Sequence, residues 1–271
     1  MTRMDRVLLE HPAPGIALVS LNLPERMNSM SFDVMVPLRD LLRELGDDND
    51  VRAVVLTGAG RGFCSGADQS GERGRMPNTA GLTPATVALR AMEILEDVVL
   101  TLRGLHQPVV AAVNGPAIGG GLCLALACDI RVAADDAFFR AAGINNGLTA
   151  SELGLSYLLP RAIGSSRAFE IMLTGRDVDA VEAERIGLVS RVVRADEVVP
   201  VAVELGARIA AWSRPGVELT KRTLWAGLDA GSLAQHMNQE GLGQLYVRLL
   251  TQNFEEAVEA RHEGRDPVFR D

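Results

Sequence analysis

Three consecutive glycines, Gly119 to Gly121, follow the apolar run VVAAV (109–113) and the turn NGPAI, and they open a second apolar run, LCLALACDIR. A strand that feeds a helix start through bare backbone leaves amide N–H groups unpaired and aimed outward, where the helix dipole adds positive potential. Such a turn can cradle a negative oxygen. A second segment, AVVLTGAGRGFCSGAD (53–68), ends an apolar strand at Thr57 and Gly58 and delivers Gly66, Ala67 and Asp68 through a glycine-punctuated loop. Neither segment is a P-loop, since no Gly-Lys-Ser/Thr follows, and neither has the GxGxxG spacing of a dinucleotide site. Each alone is equally well a tight strand-to-helix turn; as a pair they read as an oxyanion hole.

The elements that must hold these turns follow from periodicity. Residues 16–23, IALVSLNL, alternate as a strand and stop at Pro24, after which PERMNSMS is turn and helix entry. Apolar positions 34, 35, 38, 41, 42 and 45 form a helical stripe over 31–45. Strands are expected at 51–57, 109–113, 130–134 and 188–193, and helices at 85–105, 122–127 and from about Ser151. Residues 70–84 carry Gly, Pro and Arg without periodicity and read as a mobile surface loop. From Asp196 the pattern is helical: 198–212, then Pro215 opening a helix, then helical spacing to about Ala260. Interleaved short strands and helices predict an α/β fold with buried parallel pairing, in two parts, a core over 1–195 and a helical region over 196–271. The excess of apolar helix faces in the second part predicts an oligomer.

The chain has 271 residues, 47% apolar and 23% charged, the composition of an ordinary soluble globular protein. Its net charge of −8 and pI near 5.1 disfavour nucleic acid or an anionic membrane as partner. The start, MTRMDRVLLEHPAPG, lacks the apolar core of a leader, and no apolar stretch reaches bilayer length, so a cytoplasmic location is expected. Cysteines 64, 123 and 128 match no zinc spacing and read as reduced thiols, and the four histidines are scattered, so no metal is expected.

The segments LNLPERMNSM (21–30), AVVLTGAGRGFCSGAD (53–68), PVVAAVNGPAIGGGLCLALACDIRVA (108–133) and LPRAIG (159–164) resemble the crotonase, or enoyl-CoA hydratase/isomerase, superfamily, and within it mycobacterial-type members called probable enoyl-CoA hydratases. The resemblance covers nearly the whole chain. It implies a right-handed spiral of ββα units with a C-terminal helical region that assembles trimers or pairs of trimers. It also implies a coenzyme A thioester as substrate in fatty-acid or related acyl-CoA metabolism, with no separate cofactor. The family's two oxyanion donors fall on the N–H of Ala67 and of Gly120. A thioester that loses or gains a proton at its α-carbon passes through an enolate, whose oxygen two preorganised amides stabilise. Coenzyme A contacts fall on Glu25, Arg26 and Asn28 and on Ser65, Asp68 and Gln69. Arg26 reads either as a phosphate partner or as a solvated arginine, and Lys221 or Arg265 is a further, less supported phosphate contact from a neighbouring subunit.

The chain departs from the hydratases of that family at both catalytic glutamates. The first position is Cys123 and the second, aligned without gaps, is Gly143. Cys123 reads either as a thiol activated near a helix N-terminus or as packing on an apolar helix. One acid remains nearby, Glu152, where a one-residue insertion places it on the catalytic aspartate of certain isomerases of the family. A 1,3-proton shift needs only one base. Glu152 also closes the spacing Thr149-Ala-Ser-Glu of a capping box, the structural alternative. The expected function is therefore an enoyl-CoA isomerase, the alternatives being a hydratase whose water is held by Asn145 or Asn146, and a non-catalytic acyl-CoA binder.

Overall fold

The computed structural model describes residues 6–71 and 74–270. The first five residues of the segment read for a leader, residues 72–73 of the expected mobile loop, and residue 271 lie outside the described residues. Two strands open the chain as an antiparallel hairpin, β1 (Val7–Ala13) and β2 (Ile16–Leu21). Sequence periodicity does not reveal β1, because Leu8 to Pro12 are all exposed and the stretch carries a proline. Helix α1 (Phe32–Asp47) comes next, then β3 (Ala53–Gly58), α2 (Pro84–Gly104) and β4 (Val109–Val113). Strands β2, β3 and β4 are buried at every position, which matches their continuous apolar runs and their parallel pairing.

Beyond β4 the chain repeats a strand–strand–helix turn. The first turn is β4, β5 (Ala117–Ile118) and α3 (Gly120–Ala127); the second is β6 (Ile130–Ala134), β7 (Phe138–Arg140) and α4 (Leu155–Ile163). Each turn places one strand in a six-stranded sheet and its short successor in a three-stranded one, which also takes β8 (Asp177–Asp179). Helices α5 (Ser165–Thr174) and α6 (Ala180–Arg185) flank β8, and β9 (Arg191–Val193) completes the large sheet in the order β1-β2-β3-β4-β6-β9. The strands β5, β7 and β8 are two or three residues long, too short for periodicity to reveal.

The helical region comprises α7 (Val198–Ala210), α8 (Arg214–Gly227), α9 (Leu233–Leu250) and α10 (Asn253–Glu263). Helix α7 lies on the large sheet: a methyl group on Gly206 would stand 3.3 Å from Ile16 Cδ1 and 3.6 Å from Ala53 Cβ. Helix α9 is the opposite case, with no buried residue over 18 positions and exposed Leu242, Leu245, Leu249 and Leu250.

Candidate active site

The two glycine-bearing turns meet. Cys64 forms an isolated parallel bridge to Ala117, the Ile118 N–H donates to the Cys64 carbonyl (3.0 Å), and the Cys64 N–H donates to the Pro116 carbonyl (3.2 Å). The approach leaves no room for side chains. A methyl on Gly66, which has φ +78°, would lie 2.5 Å from the Ile118 carbonyl oxygen and 3.2 Å from the Gly120 nitrogen, and one on Gly121 would lie 2.1 Å from the Cys64 oxygen. Among the described residues, neither the Ala67 nor the Gly120 N–H donates to a protein acceptor. Gly120 is the first residue of α3, where no intrahelical acceptor exists. Neighbouring free amides of this kind can stabilise oxygen that becomes negative. Asn114, which carries no signal in the sequence, braces the first turn: its Oδ1 accepts from the Gly58 N–H (3.2 Å) and its Nδ2 donates to the Gly60 carbonyl (2.9 Å).

Glu152 stands beside this pair. A methyl on Gly119 would be 3.0 Å from Glu152 Oε1. The capping alternative fails, because α4 begins at Leu155 with Gly154 as its N-cap, and Thr149 Oγ1 donates to the Ser151 carbonyl (3.3 Å) instead of accepting from a helix amide. Local backbone explains the offset: Leu153 (φ 44°) and Gly154 (φ 83°) both take left-handed conformations and interrupt any helix through Ser151. Burial raises the Glu152 carboxyl above its ordinary range. Cys123 is fully buried, its thiol pushed well up by burial and then by the charge of Glu152, so it is no activated nucleophile. Gly143 cannot carry a glutamate in this fold, since a methyl there would stand 1.9 Å from the Thr149 carbonyl oxygen. Asn145, considered as a water holder, donates its amide to the Gly175 carbonyl (3.0 Å), and Asn146 is exposed.

With this geometry established, the similarities to known proteins decide the family. The sequence pattern described as enoyl-CoA hydratase/isomerase matches residues 12–271. The chain belongs to that family, the crotonases. A protein of Mycobacterium bovis named probable enoyl-CoA hydratase is 71% identical over 265 residues, spanning 98% of this chain and 93% of its own. The crystal structure of a probable enoyl-CoA hydratase/isomerase from Mycobacterium abscessus matches with a TM-score of 0.93 at 67% identity, over 98% of each chain. A monofunctional enoyl-CoA isomerase from M. smegmatis matches with a TM-score of 0.73 at 63% identity, over 86% of this chain and 99% of its own. The family acts on acyl-CoA thioesters.

The residues that the family resemblance assigned to coenzyme A divide into two kinds. Asn28 and Asp68 turn inward. Asn28 is fully buried with φ 54°; its Oδ1 accepts from the Leu23 N–H (2.9 Å) and its Nδ2 donates to the Ala59 (2.9 Å) and Gly62 (2.8 Å) carbonyls. Its side chain has no amide group left for a ligand. Asp68 is 4% exposed. Burial opposes its charge, but hydrogen bonds from Ser70, Ser29 (2.8 Å) and Arg26 (3.4 Å) outweigh that and hold its carboxyl at about 2. Both side chains hold their loops together through these bonds. Ser65 also donates inward, to the Arg26 carbonyl (3.1 Å), while Glu25 and Gln69 are exposed.

Arg26 lines a polar cavity of about 300 Å³ with Arg6, Ser31 and Asp33, and Arg6 pairs with Glu25 (2.9 Å). Arg6 is a second cation at this rim that sequence inspection did not find, because nothing in its neighbours marks it. Lys221 is buried, paired with Asp129 (2.8 Å) and donating to the Gln107 carbonyl (2.9 Å). Arg265 pairs with Glu256 and Glu263 at the surface. Among the described residues no group of His, Cys, Asp and Glu is arranged to hold a metal, and no helix is long and apolar enough to cross a membrane.

Replacing Asn28 with alanine is expected to cost about 2–4 kcal/mol, because it strands the buried Leu23 N–H and two carbonyls and puts a less tolerant residue at positive φ. Urea unfolding measures it. A loss under about 1 kcal/mol would show that water replaces these bonds without penalty.

Proposed function

We propose that the protein is an enoyl-CoA isomerase that moves a double bond along an acyl thioester by a single-base 1,3-proton shift. The observation that carries this reading is the Glu152 carboxylate beside the Gly119–Gly121 turn, with no acid at Cys123 or Gly143. In a 3-enoyl-CoA, Glu152 takes a proton from C2. The C2–H electron pair becomes the C1–C2 π bond of a dienolate, and the thioester oxygen takes the negative charge under the Ala67 and Gly120 amides. Glu152 then returns the proton to C4, where the C3=C4 π pair forms the new C–H bond; the C1=C2 pair shifts to C2=C3, and the oxygen lone pair restores the thioester carbonyl. Burial suits the acid to this role, since a raised carboxyl binds the proton more tightly than an ordinary one. Coenzyme A is part of the substrate, and no separate cofactor is needed.

The rim supports a phosphate-bearing arm, with Arg26 and Arg6 as cations and Glu25, Ser65 and Gln69 beside them. The uncovered apolar face of α9 supports assembly with further copies of the chain, as a homotrimer or dimer of trimers. A cavity of about 820 Å³ between α4 and α8, which Glu152 does not line, is mostly apolar and offers a second surface for such assembly. Three buried free thiols accord with a cytoplasmic location.

Parallel assays of 3-hexenoyl-CoA isomerisation and crotonyl-CoA hydration test the reading. Isomerisation is expected to exceed hydration by about 10²-fold or more, the usual scale of one missing acid or base. Hydration at an equal rate would make the protein a hydratase, and tight thioester binding with no turnover on any enoyl-CoA would make it a binder.

A further inference from the structure

Cys123 has a contact that packing alone does not require. Its Sγ lies 3.3 Å from the carbonyl oxygen of Gly119, the N-cap of α3, and 3.4 Å from the carbonyl oxygen of Glu152, in a segment 29 residues away. Cys128, the C-cap of the same helix and also fully buried, makes the first kind of contact, to Leu124 (3.3 Å), without a second across the fold. The second contact falls where the backbone has little other support. Leu153 and Gly154 are consecutive left-handed residues, so little regular structure holds the chain there, and the Glu152 carbonyl is fastened by the Leu155 N–H (2.8 Å) and the Cys123 thiol.

We propose that Cys123 is a positioning residue for Glu152, its shared S–H bridging the carbonyls of Gly119 and Glu152 and so fixing the carboxylate relative to the Gly120 amide. The proposal rests on the reading of Glu152 as the base. The bridge joins the two halves of the chemistry: Gly119 precedes the amide that receives the enolate oxygen, and Glu152 carries the proton. Burial keeps the thiol protonated and therefore a donor. A serine keeps a donor at this position; alanine and valine do not.

The experiment compares Cys123→Ala, Cys123→Ser, Cys123→Val, Cys128→Ala and Glu152→Gln in the full chain, on 3-hexenoyl-CoA, with kcat, KM and melting temperature for each. Cys123→Ala should lose about 10-fold or more in kcat with KM within about twofold, because misplacing a reacting group by a fraction of an ångström to an ångström costs that order. Cys123→Ser should recover most of the loss, and Cys128→Ala should keep wild-type kcat. Cys123→Val keeps the space filled if the alanine variant does not fold, and should show the same kcat deficit. Wild-type kcat in Cys123→Ala and Cys123→Val would overturn the proposal. So would a serine variant as slow as alanine, or an equal fall in Cys128→Ala. Glu152→Gln separates the two claims: full turnover there sinks the base itself, whereas a dead glutamine variant beside unaffected Cys123 variants sinks only the positioning.

Discussion

Glutamine in place of Glu152 lowers kcat for 3-enoyl-CoA isomerisation by about 10²- to 10⁴-fold, the range that one general acid–base group supplies, and leaves KM near the wild-type value. The side chain keeps its shape and loses only its ability to carry the proton. The same substitution is expected to raise stability at neutral pH. The folded carboxyl is raised by burial above its ordinary 4.5, so the native state binds this proton more tightly than the unfolded chain does. Stability therefore falls as pH rises from the unfolded value through the folded one, and the ionised carboxylate carries the full penalty above it. Glu152→Gln removes that penalty: it melts higher than wild type at pH 7, and the gap closes as pH drops below the ordinary carboxylate range. Wild-type kcat should rise with pH through a midpoint above 4.5. A melting gap that persists undiminished in acid would assign the gain to packing and remove the electrostatic account of Glu152.

The glycines were the most legible part of the site because a missing side chain is itself a geometric statement. Gly66 and Gly121 sit where backbone must approach backbone, and their spacing after apolar strands says so in one dimension. Polar residues carry no such direction. Asn28 and Asp68 stand in the right loops, but whether an amide or carboxylate faces ligand or protein depends on which backbone groups the loop leaves unpaired. Here Leu23, Ala59 and Gly62 claim the first and Ser29 and Ser70 the second. Lys221 shows the same limit at longer range, since its partner Asp129 lies 92 positions away. The capping box around Glu152 is a case in which spacing pointed to the wrong structure. The pattern Thr-x-x-Glu is local, and the left-handed turn at Leu153 and Gly154 that cancels it comes one residue later. The obstruction at Gly143 was equally invisible, because the Thr149 carbonyl that fills its side-chain space belongs to the next loop.

Alanine at Gly121 is expected to remove about 10²-fold or more of kcat, although the added methyl touches neither the substrate nor Glu152. Its Cβ would fall 2.1 Å from the Cys64 carbonyl oxygen and 2.9 Å from Cys64 Cβ. That carbonyl is fixed by the Ile118 N–H, and the Cys64 N–H by the Pro116 carbonyl, so the conflict is between two backbones and no rotamer relieves it. The turns must separate, and with them the Ala67 and Gly120 amides. One lost oxyanion donor is typically worth about 3 kcal/mol, which is between 10²- and 10³-fold in rate. Because the donors act on charge that develops only in the dienolate, kcat should fall much further than thioester affinity. Gly120→Ala is the informative neighbour: its methyl would meet Met30 Sδ at 2.2 Å, the end of a flexible side chain that can turn away, while the backbone keeps its place. The order of kcat should therefore be wild type, Gly120→Ala, Gly121→Ala, with 3-enoyl-CoA as substrate and thioester binding measured alongside. If Gly121→Ala binds and turns over like wild type, the close approach of the two turns does not set the chemistry. If Gly120→Ala is the slower of the two, the methyl blocks the substrate directly and spacing between the amides is not the controlling distance.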